Sequence, residues 1–439
     1  MAHLQLPYEL YQPIFNEIKQ EQSALQSSAL ACRAFASICQ KHLFHRITLT
    51  YHVSSTDPRT RQLKRILQDS PHIATHVQVV TLKLAWLPLE VPRNTTINDD
   101  VVLEECLWMF ENLSKFQVIP MESSTDRRWP IAISPLSKRL KYSIADILST
   151  ASISEMHLRN GFVLPLNVLQ DLQHLKRLVL DDAALGDWNQ VMGHLEDPSI
   201  GNRHIQLEKL WLEIGYQDYA TPFFLHKQCY LHLNYLTSLS LTFPAKLDTY
   251  EHLNQIFQIC GLSLEFLYLR PRYQFLTSSS VFSGHSLDIT PLTNLHTLHL
   301  SIGWEISRLP FERRFSDQYA TKSFAPRWAH TLLSTPLNAT RPLPNLTKVV
   351  FRCFLMHEMQ SWPFDMGEWL CLDDIMAQYP VLNDVKFYLH PKDCSGVVLE
   401  VFRKKFYESF RMLSSRNALN VAVDPYPGRS HVFNDMFPL

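Results

Sequence analysis

The clearest pattern in the order of hydrophobic and polar residues is a leucine spacing that returns along the chain. Residues 172–180, 233–241 and 292–300 each read Leu-x-x-Leu-x-x-Leu-x-Leu, where x is any residue. The last two leucines of each copy are separated by one residue, which is typical of a half-buried β-strand. Because the spacing repeats, it indicates a repeat protein in which each copy forms one structural unit.

Looser copies extend the pattern over most of the chain. Their apolar positions fall within residues 79–84, 110–118, 153–158, 207–212, 264–269, 343–351, 382–387 and 419–423. The period is irregular, since the copies ending at Leu158 and Leu180 are 22 residues apart and those ending at Leu300 and Phe351 are 51 apart. Helical spacing of apolar residues occurs between copies, in residues 101–113, 142–149, 187–195, 249–260, 323–333 and 368–378.

A strand followed by a helix in every unit predicts parallel strands, because a parallel connection needs about a dozen residues or more. Such units bury their leucines only against neighbouring units. We therefore predict an α/β solenoid over residues 62–439. A longer helix at residues 397–412 is expected to close its C-terminal end.

The first fifty residues have a different pattern, that of short helices separated by polar residues. Residues 29–44 read ALACRAFASICQKHLF, and a continuous helix there would have an apolar arc of roughly 200°. An arc this wide suits a helix that packs inside a small domain on one flank and meets a partner on the other. We predict a helical domain at residues 1–50 and a polar linker at residues 51–61. Cys32 and Cys39 are interpreted as small packing residues.

Composition and charge exclude several classes of function. The chain has 41 Lys plus Arg and 42 Asp plus Glu, so its net charge predicts neither nucleic-acid binding nor attachment to an anionic membrane. Only 11 glycines are present, and no dinucleotide, phosphate-loop, hydrolase or zinc-protease motif occurs, so we expect neither an enzyme nor a cofactor. No apolar stretch is long enough to span a bilayer, and no signal peptide is expected. Eight cysteines without a CxxC pair favour a cytoplasmic or nuclear location.

Candidate metal sites and basic patches have simpler explanations. His357 and Glu358 begin a zinc-protease motif, but Ser361 takes the place of its second histidine. His72 and His76 have helical spacing, yet they are expected to be a surface pair at the end of a helix. Two short basic runs are interpreted as solvated faces; they comprise Arg59, Arg61, Lys64 and Arg65, and Arg403, Lys404 and Lys405.

One set of candidate binding residues follows from strand alternation. If the repeated leucines point into the core, the residue between the last two and the residue after them face the other side of the sheet. These positions, which include the aromatic and arginine side chains common in protein interfaces, are His157, Arg159, Trp211, Glu213, Tyr268, Arg270, His299, Arg352, Lys386 and Tyr388. The same alternation places Lys83, Gln117, Asp181 and Asp424 there. We expect this exposed face to bind a partner, a plain solvated surface being the alternative.

The N-terminal segment resembles an F-box. The features that carry the resemblance are LPYELYQPIFNEI at residues 6–18, Leu25, and ALACRAFASICQKHLFHRITL at residues 29–49. Phe35 stands where the family usually has tryptophan. The rest of the chain resembles the leucine-rich, ribonuclease-inhibitor-like region of fungal F-box proteins, including SPHIATHVQVVTLKL at residues 70–84. Ala183, Pro244 and Gly303 occupy the position of the usual Asn or Cys, so a regular asparagine ladder is not expected.

The resemblance implies a curved solenoid with parallel strands on its concave face and helices outside. It also implies a substrate-recognition subunit of a Skp/cullin/F-box ubiquitin ligase, whose F-box binds a Skp-type adaptor, and through it a cullin, while the repeats bind a protein substrate. Carried over to this chain, the adaptor-binding residues are drawn from Leu6, Pro7, Leu10, Ile14, Phe15, Leu25, Leu30, Cys32 and Phe35. A repeat scaffold that sequesters a partner without ubiquitination is the alternative.

Overall fold

The computed structural model describes residues 8–19, 21–51, 57–84, 100–120, 138–150, 152–159, 172–181, 205–214, 220–227, 229, 231–244, 247–272, 287–303, 324–339, 343–355, 366–391 and 396–423. The chain divides into two compact units, Met1–Ile205 and Gln206–Leu439. Both are α/β, with parallel strands and helices that alternate along the sequence.

The first unit begins with three helices, α1 (Tyr8–Glu17), α2 (Gln22–Ala31) and α3 (Arg33–Leu43). Their shared core consists of Phe15, Leu25, Ile38 and Cys39, and the ring of Phe35 lies edge-on to those of Tyr11 and Phe15 at centroid distances of 5.0 and 5.3 Å. Each helix thus contributes at least one fully covered side chain, which is what holds such short helices together.

The predicted continuous helix over residues 29–44 is wrong. Cys32 has φ −159° and ψ 159°, so extended backbone separates α2 from α3. The Cys32 carbonyl accepts a hydrogen bond from the Ala36 amide at 3.0 Å and so begins α3. As a result the roughly 200° apolar arc is divided between two helices, with Cys32 exposed and Cys39 buried.

The sheet of the first unit consists of strands that follow one another in sequence order. They are β1 (Arg46–Tyr51), β2 (Val79–Leu84), β3 (Lys115–Pro120), β4 (Glu155–Arg159) and β5 (Arg177–Asp181), and every neighbouring pair is parallel. The connecting helices are α4 (Pro58–Asp69), a 3-10 helix (Pro71–His76), α5 (Asp100–Trp108) and α6 (Lys138–Thr150). Leu82, Val118, Leu158 and Leu180 are direct partners across β2 to β5 and are buried.

The predicted linker at residues 51–61 includes ordered structure. Tyr51 is the last residue of β1, a strand that sequence analysis did not predict, and its side chain is buried. Helix α4 begins at Pro58, and the Asp57 carboxylate caps it by accepting a hydrogen bond from the Arg59 amide at 3.0 Å. The sheet therefore starts inside the segment assigned to the helical domain.

The second unit repeats the arrangement. Its strands are β7 (Lys209–Glu213), β9 (Ser238–Pro244), β10 (Phe266–Arg272), β11 (Thr297–Gly303), β12 (Lys348–Leu355), β13 (Asp384–Pro391) and β14 (Leu419–Val423), each parallel to the next. Two-residue strands are β6 (Ile205–Gln206) and β8 (Leu231–His232). The helices are α7 (Ala220–Leu225), a 3-10 helix (Leu233–Tyr235), α8 (Leu247–Cys260), α9 (Phe324–Asn338), α10 (Met366–Ala377), α11 (Gly396–Ser409) and α12 (Arg411–Ser415).

The repeated leucine spacing has a direct counterpart in this sheet. The residues that end the copies from Leu212 to Phe387 are register partners in one buried row, formed by Leu212, Leu241, Leu269, Leu300, Phe351 and Phe387. In the last copy, at residues 419–423, the buried Val421 continues this row, whereas Val423, predicted to end the copy, is 39% exposed. A parallel sheet aligns equivalent positions of consecutive strands, so one leucine per copy is enough to build a continuous core layer. The predicted α/β fold with sequentially ordered parallel strands is confirmed.

The predicted C-terminal helix does not end the sheet. Helix α11 is followed by α12 and then by β14, which pairs with β13. The buried Asp373 carboxylate holds this corner by accepting hydrogen bonds from the amides of Met412 (2.8 Å) and Leu413 (3.1 Å) at the start of α12. Helix α11 therefore lies between two strands in sequence rather than forming a terminal cap.

The predicted helix at residues 187–195 and the position of Ala183 lie outside the described residues.

Gly261, directly after α8, is required for a close backbone approach. A Cβ atom at this position would overlap the backbone carbonyl oxygen of Pro291 and press on that of Phe257. We expect Gly261→Ala to lower the free energy of unfolding by about 1–3 kcal/mol, because backbone atoms cannot move aside as a flexible side chain can. Urea denaturation measures the effect. Gln258→Ala, on the exposed side of α8, is the control, and an equally small change in both variants would contradict the expectation.

Candidate functional site

The helical domain separates the predicted adaptor-binding residues into core and surface. Phe15 and Leu25 are only 4% and 1% exposed, whereas Leu10, Ile14 and Leu30 are 52%, 56% and 89% exposed. Cys32 is also exposed, and Phe35 is half-buried against α1. Leu6 and Pro7 lie outside the described residues. Phe15 and Leu25 are thus accounted for by packing inside the domain.

Among the described residues of this small domain, three large apolar side chains remain on the surface. Leu10 and Ile14 are four residues apart on α1, so they lie side by side on one face of the helix. Leu30 is on α2, one residue before the helix ends. Exposed leucine and isoleucine side chains concentrated in so few residues are typical of a protein-contact surface.

The polar face of the first unit's sheet carries a directed hydrogen-bond network. The Thr81 hydroxyl donates to Gln117 Oε1 (3.0 Å), and this leaves Gln117 Nε2 to donate to His157 Nδ1 (2.7 Å). Because Nδ1 accepts, the neutral imidazole carries its proton on Nε2, which lies 2.7 Å from Glu155 Oε1. The donors and acceptors therefore follow one direction across strands β2, β3 and β4.

Two cations complete the surroundings of Glu155. Lys115 Nζ is 2.5 Å from Oε1, and Arg177 Nη1 is 3.5 Å from Oε2. Burial by itself would raise the pKa of Glu155, but hydrogen bonds from His157 and Lys115 lower it to about 2. Burial lowers the pKa of His157 to about 4, despite its hydrogen bond to Glu155. At neutral pH the carboxylate is therefore ionised and the imidazole is neutral.

On the polar face of the second unit, aromatic and cationic side chains are in contact. Trp211 and Tyr268 stack with ring centroids 6.0 Å apart, and the guanidinium of Arg352 lies 5.4 Å from the centroid of Tyr388. The ring of His299 is edge-on to Phe266 at 4.7 Å. Each of these contacts joins side chains of adjacent or alternate strands on this face.

Basic side chains of β12 and β13 act on His299. Asp384 Oδ2 lies 3.7 Å from Lys348 Nζ and 3.1 Å from Lys386 Nζ. Burial, followed by the positive charges of Arg352, Lys348 and Lys386, lowers the pKa of His299 to about 3. The imidazole is neutral over the physiological pH range.

The expectation that strand alternation exposes the candidate binding residues is wrong for most of them. The buried members are His157, Trp211, Glu213, Tyr268, His299 and Arg352, and those of intermediate exposure are Arg159, Arg270, Lys386 and Tyr388. The predicted alternation itself is present. Large side chains in one row of a parallel sheet are about 4.8 Å apart from strand to strand, so they cover one another.

Two groups of these residues are brought together, one in each unit. His157 and Arg159 belong to β4 in the first unit, while the other eight belong to strands of the second. Three residues of this face were not predicted, namely Lys115, Glu155 and Arg177. They are register partners and face the same side, two residues before the positions that the alternation marks in each strand. Extending the alternation by one step towards the start of each strand would have found them.

Among the described residues, no group of three or more His, Cys, Asp or Glu side chains is arranged to hold a metal ion. His72 and His76 lie on the 3-10 helix with ring centroids 6.2 Å apart, and they have no third ligand within the described part of the chain. No described helix is both long enough and apolar enough to cross a membrane.

No protein-family model and no curated protein matches the chain.

Proposed function

We propose that the chain is the substrate-recognition subunit of a Skp/cullin/F-box ubiquitin ligase. In this proposal the three-helix domain binds a Skp-type adaptor, and through it a cullin, while the polar face of the sheet binds a protein substrate. The protein positions its partners and performs no covalent step. The observation that carries the proposal is the exposed pair Leu10 and Ile14 on a helical domain whose own core is already complete.

Burial separates the residues that can face an adaptor from those that cannot. Transfer of a leucine or isoleucine side chain from water into an interface contributes about 1.5–3 kcal/mol, so Leu10, Ile14 and Leu30 can supply substantial binding energy. Phe15 and Leu25 are already covered inside the domain and gain nothing more from a partner. The proposed adaptor surface therefore consists of Leu10, Ile14 and Leu30, with Leu6 and Pro7 retained as sequence predictions.

In the same proposal, the repeats form a curved solenoid with its helices outside, and the substrate binds to its concave face. Arg270, Lys386 and Tyr388 are the accessible residues of this set in the second unit, and Arg159 is accessible in the first. The buried stack of Trp211 on Tyr268 supports the surface by fixing the positions of adjacent side chains. Arginine and tyrosine are well suited to this role because they combine apolar area with hydrogen-bonding groups.

The test is binding of the purified full chain to a Skp-type adaptor. Leu10→Glu combined with Ile14→Glu should weaken adaptor binding at least about 100-fold, because two carboxylates would have to be desolvated in an apolar interface. Isothermal titration calorimetry measures the affinity, and circular dichroism reports whether the helices persist.

Val401→Glu is the matched control, since Val401 is 50% exposed on α11 in the other unit. It should bind the adaptor like the unmodified chain. Undiminished adaptor binding by the double variant would refute the proposal. Adaptor binding without accelerated turnover of a captured partner would instead favour the sequestering scaffold.

A further inference from the structure

Six basic residues gather where the helical domain meets the first strands of the sheet. Lys19 follows α1, Lys41 and His42 lie in the last turn of α3, and His45 and Arg46 stand at the start of β1; the sixth, His76, ends the 3-10 helix. We call these six residues the basic cluster. Lys19, Lys41, His45 and Arg46 are exposed, and His42 and His76 are half-buried, so all six are on the surface.

Backbone hydrogen bonds hold two of these segments together, because the amides of Gln78 and Val79, just after the 3-10 helix, both donate to the His45 carbonyl at 3.0 Å. The charges of the cluster also act on one another. Burial lowers the pKa of His42 first, and the charges of Lys41 and Lys19 lower it further. After burial, the pKa of His45 is lowered by Arg46, His42, Lys19 and Lys41.

His76 belongs to the same positive field. Its pKa is lowered by burial, then by His72, whose ring centroid lies 6.2 Å away, and by Lys41 on α3. Among the described residues, the charges that lower the pKa values of His42, His45 and His76 thus all belong to basic groups.

The cluster is not neutralised by the described part of the chain. None of its six side chains forms an ion pair with a described carboxylate, although basic residues elsewhere do. Lys64 pairs with Glu105, Arg403 with Glu400 at 3.8 Å and Lys404 with Glu408 at 3.9 Å. Like charges held together without counter-charges cost folding free energy and attract an anionic partner.

We propose that the basic cluster is a docking surface for an acidic polypeptide segment, which it binds more tightly as the pH falls below neutral. The cluster extends over the turn after α1, helix α3, the start of β1 and the 3-10 helix, so an extended run of Asp and Glu matches it better than a single phosphate. No Phe, Tyr, Trp or large aliphatic side chain is exposed among the described residues between Leu30 and Trp108, so bases lack a platform of large aromatic rings on which to stack. The proposal is independent of adaptor binding.

The sign of the pH dependence follows from the histidines. Each has a pKa below its ordinary value of 6.5, so near pH 7.5 the three imidazoles are neutral and the cluster carries the charges of Lys19, Lys41 and Arg46. As the pH falls through the histidine pKa values, up to three positive charges are added. An acidic ligand favours the protonated imidazoles and raises their pKa values, so its affinity rises with acidification.

The experiment measures binding of a fluorescent peptide of about ten glutamates to the full chain by fluorescence anisotropy. We expect the affinity to rise at least about tenfold between pH ~7.5 and pH ~5.5, and to fall as salt is raised from about 50 to about 300 mM. Lys41→Gln with Arg46→Gln should weaken binding at least about fivefold at either pH.

The control is Arg403→Gln with Lys404→Gln, which removes the same formal charge from residues already paired with glutamates. It should leave the affinity within about twofold. His42→Gln, His45→Gln and His76→Gln together should abolish the pH dependence while retaining binding at pH ~7.5. The proposal would be overturned if the Lys41/Arg46 and Arg403/Lys404 double variants lost peptide affinity equally. An unchanged pH dependence of binding in the triple histidine variant would also overturn it. Tighter cluster-dependent binding of an oligonucleotide of equal charge would assign the surface to nucleic acid instead.

Discussion

Replacement of Phe387 by alanine is expected to lower the free energy of unfolding by about 3–5 kcal/mol. Phe387 is fully buried on β13 and lies at the centre of an aromatic cluster. Its ring centroid is 4.6 Å from that of Phe351, 5.8 Å from Trp369, 4.8 Å from Phe406 and 4.9 Å from Phe410. Alanine would leave a cavity lined by rigid rings that cannot collapse into it, and it would remove several favourable ring contacts at once.

Guanidinium denaturation followed by tryptophan fluorescence measures this loss, because Trp369 belongs to the same cluster. Leu370→Ala is the control, since Leu370 is the next residue on α10 but is 44% exposed. Its effect should stay below about 1 kcal/mol. Similar losses in the two variants would mean that the cluster does not stabilise the second unit as its burial implies.

Replacement of Glu155 by alanine is expected to lower the free energy of unfolding by about 3–5 kcal/mol. The substitution would leave Lys115 and His157 without their shared acceptor on a largely covered face and would remove the counter-charge of Arg177. Breaking a buried network by removing one member is more costly than losing a surface pair, because the remaining polar groups stay desolvated. Chemical denaturation measures the loss.

Glu400→Ala is the matched control for Glu155→Ala. Glu400 pairs with Arg403 at 3.8 Å on the surface of α11, where its side chain is 72% exposed. Water replaces the lost partner there, so the expected change is below about 1 kcal/mol. A loss for Glu155→Ala no larger than that of the control would contradict a stabilising role for the network.

The same network predicts loss of stability in acid. The folded-state pKa of His157 is about 4 against an ordinary value of 6.5, so the unfolded chain takes up its proton first and stability falls between pH ~6.5 and pH ~4. The pKa of Glu155 is about 2 against 4.5, so its contribution is present above pH ~4.5 and is lost as the pH falls towards 2. In Glu155→Ala the second decrease should be missing from the pH dependence of the denaturation midpoint.

Much of the fold could be predicted from the leucine spacing because the same spacing places one buried residue per strand in register. Leu239 and Leu298, for example, are buried strand residues that the spacing assigned correctly. Strand β1 was missed because RITLTY lies within the segment that resembles an F-box and lacks the preceding leucines. Local pattern could not show that this segment pairs with β2, which is a contact between distant parts of the chain.

The candidate sites were predictable only in part. Alternation correctly assigned His157 and Tyr268 to the polar face, but it could not show that neighbouring side chains cover them. Likewise, the resemblance to an F-box grouped Leu10, Phe15 and Leu25 together as adaptor-binding residues, and only packing separated the exposed residue from the two buried ones. The basic cluster was not predicted at all, because Lys19, Lys41 and His76 are far apart in the sequence and converge through the fold.

The sequence by itself determined the order and type of the repeating elements, since hydrophobic periodicity is a local property of each segment. Only the tertiary structure decided which polar residues are buried, where α2 ends at Cys32, and which basic residues share one surface. These features depend on contacts between residues from different strands and helices, and such contacts are set by the packing of the whole unit.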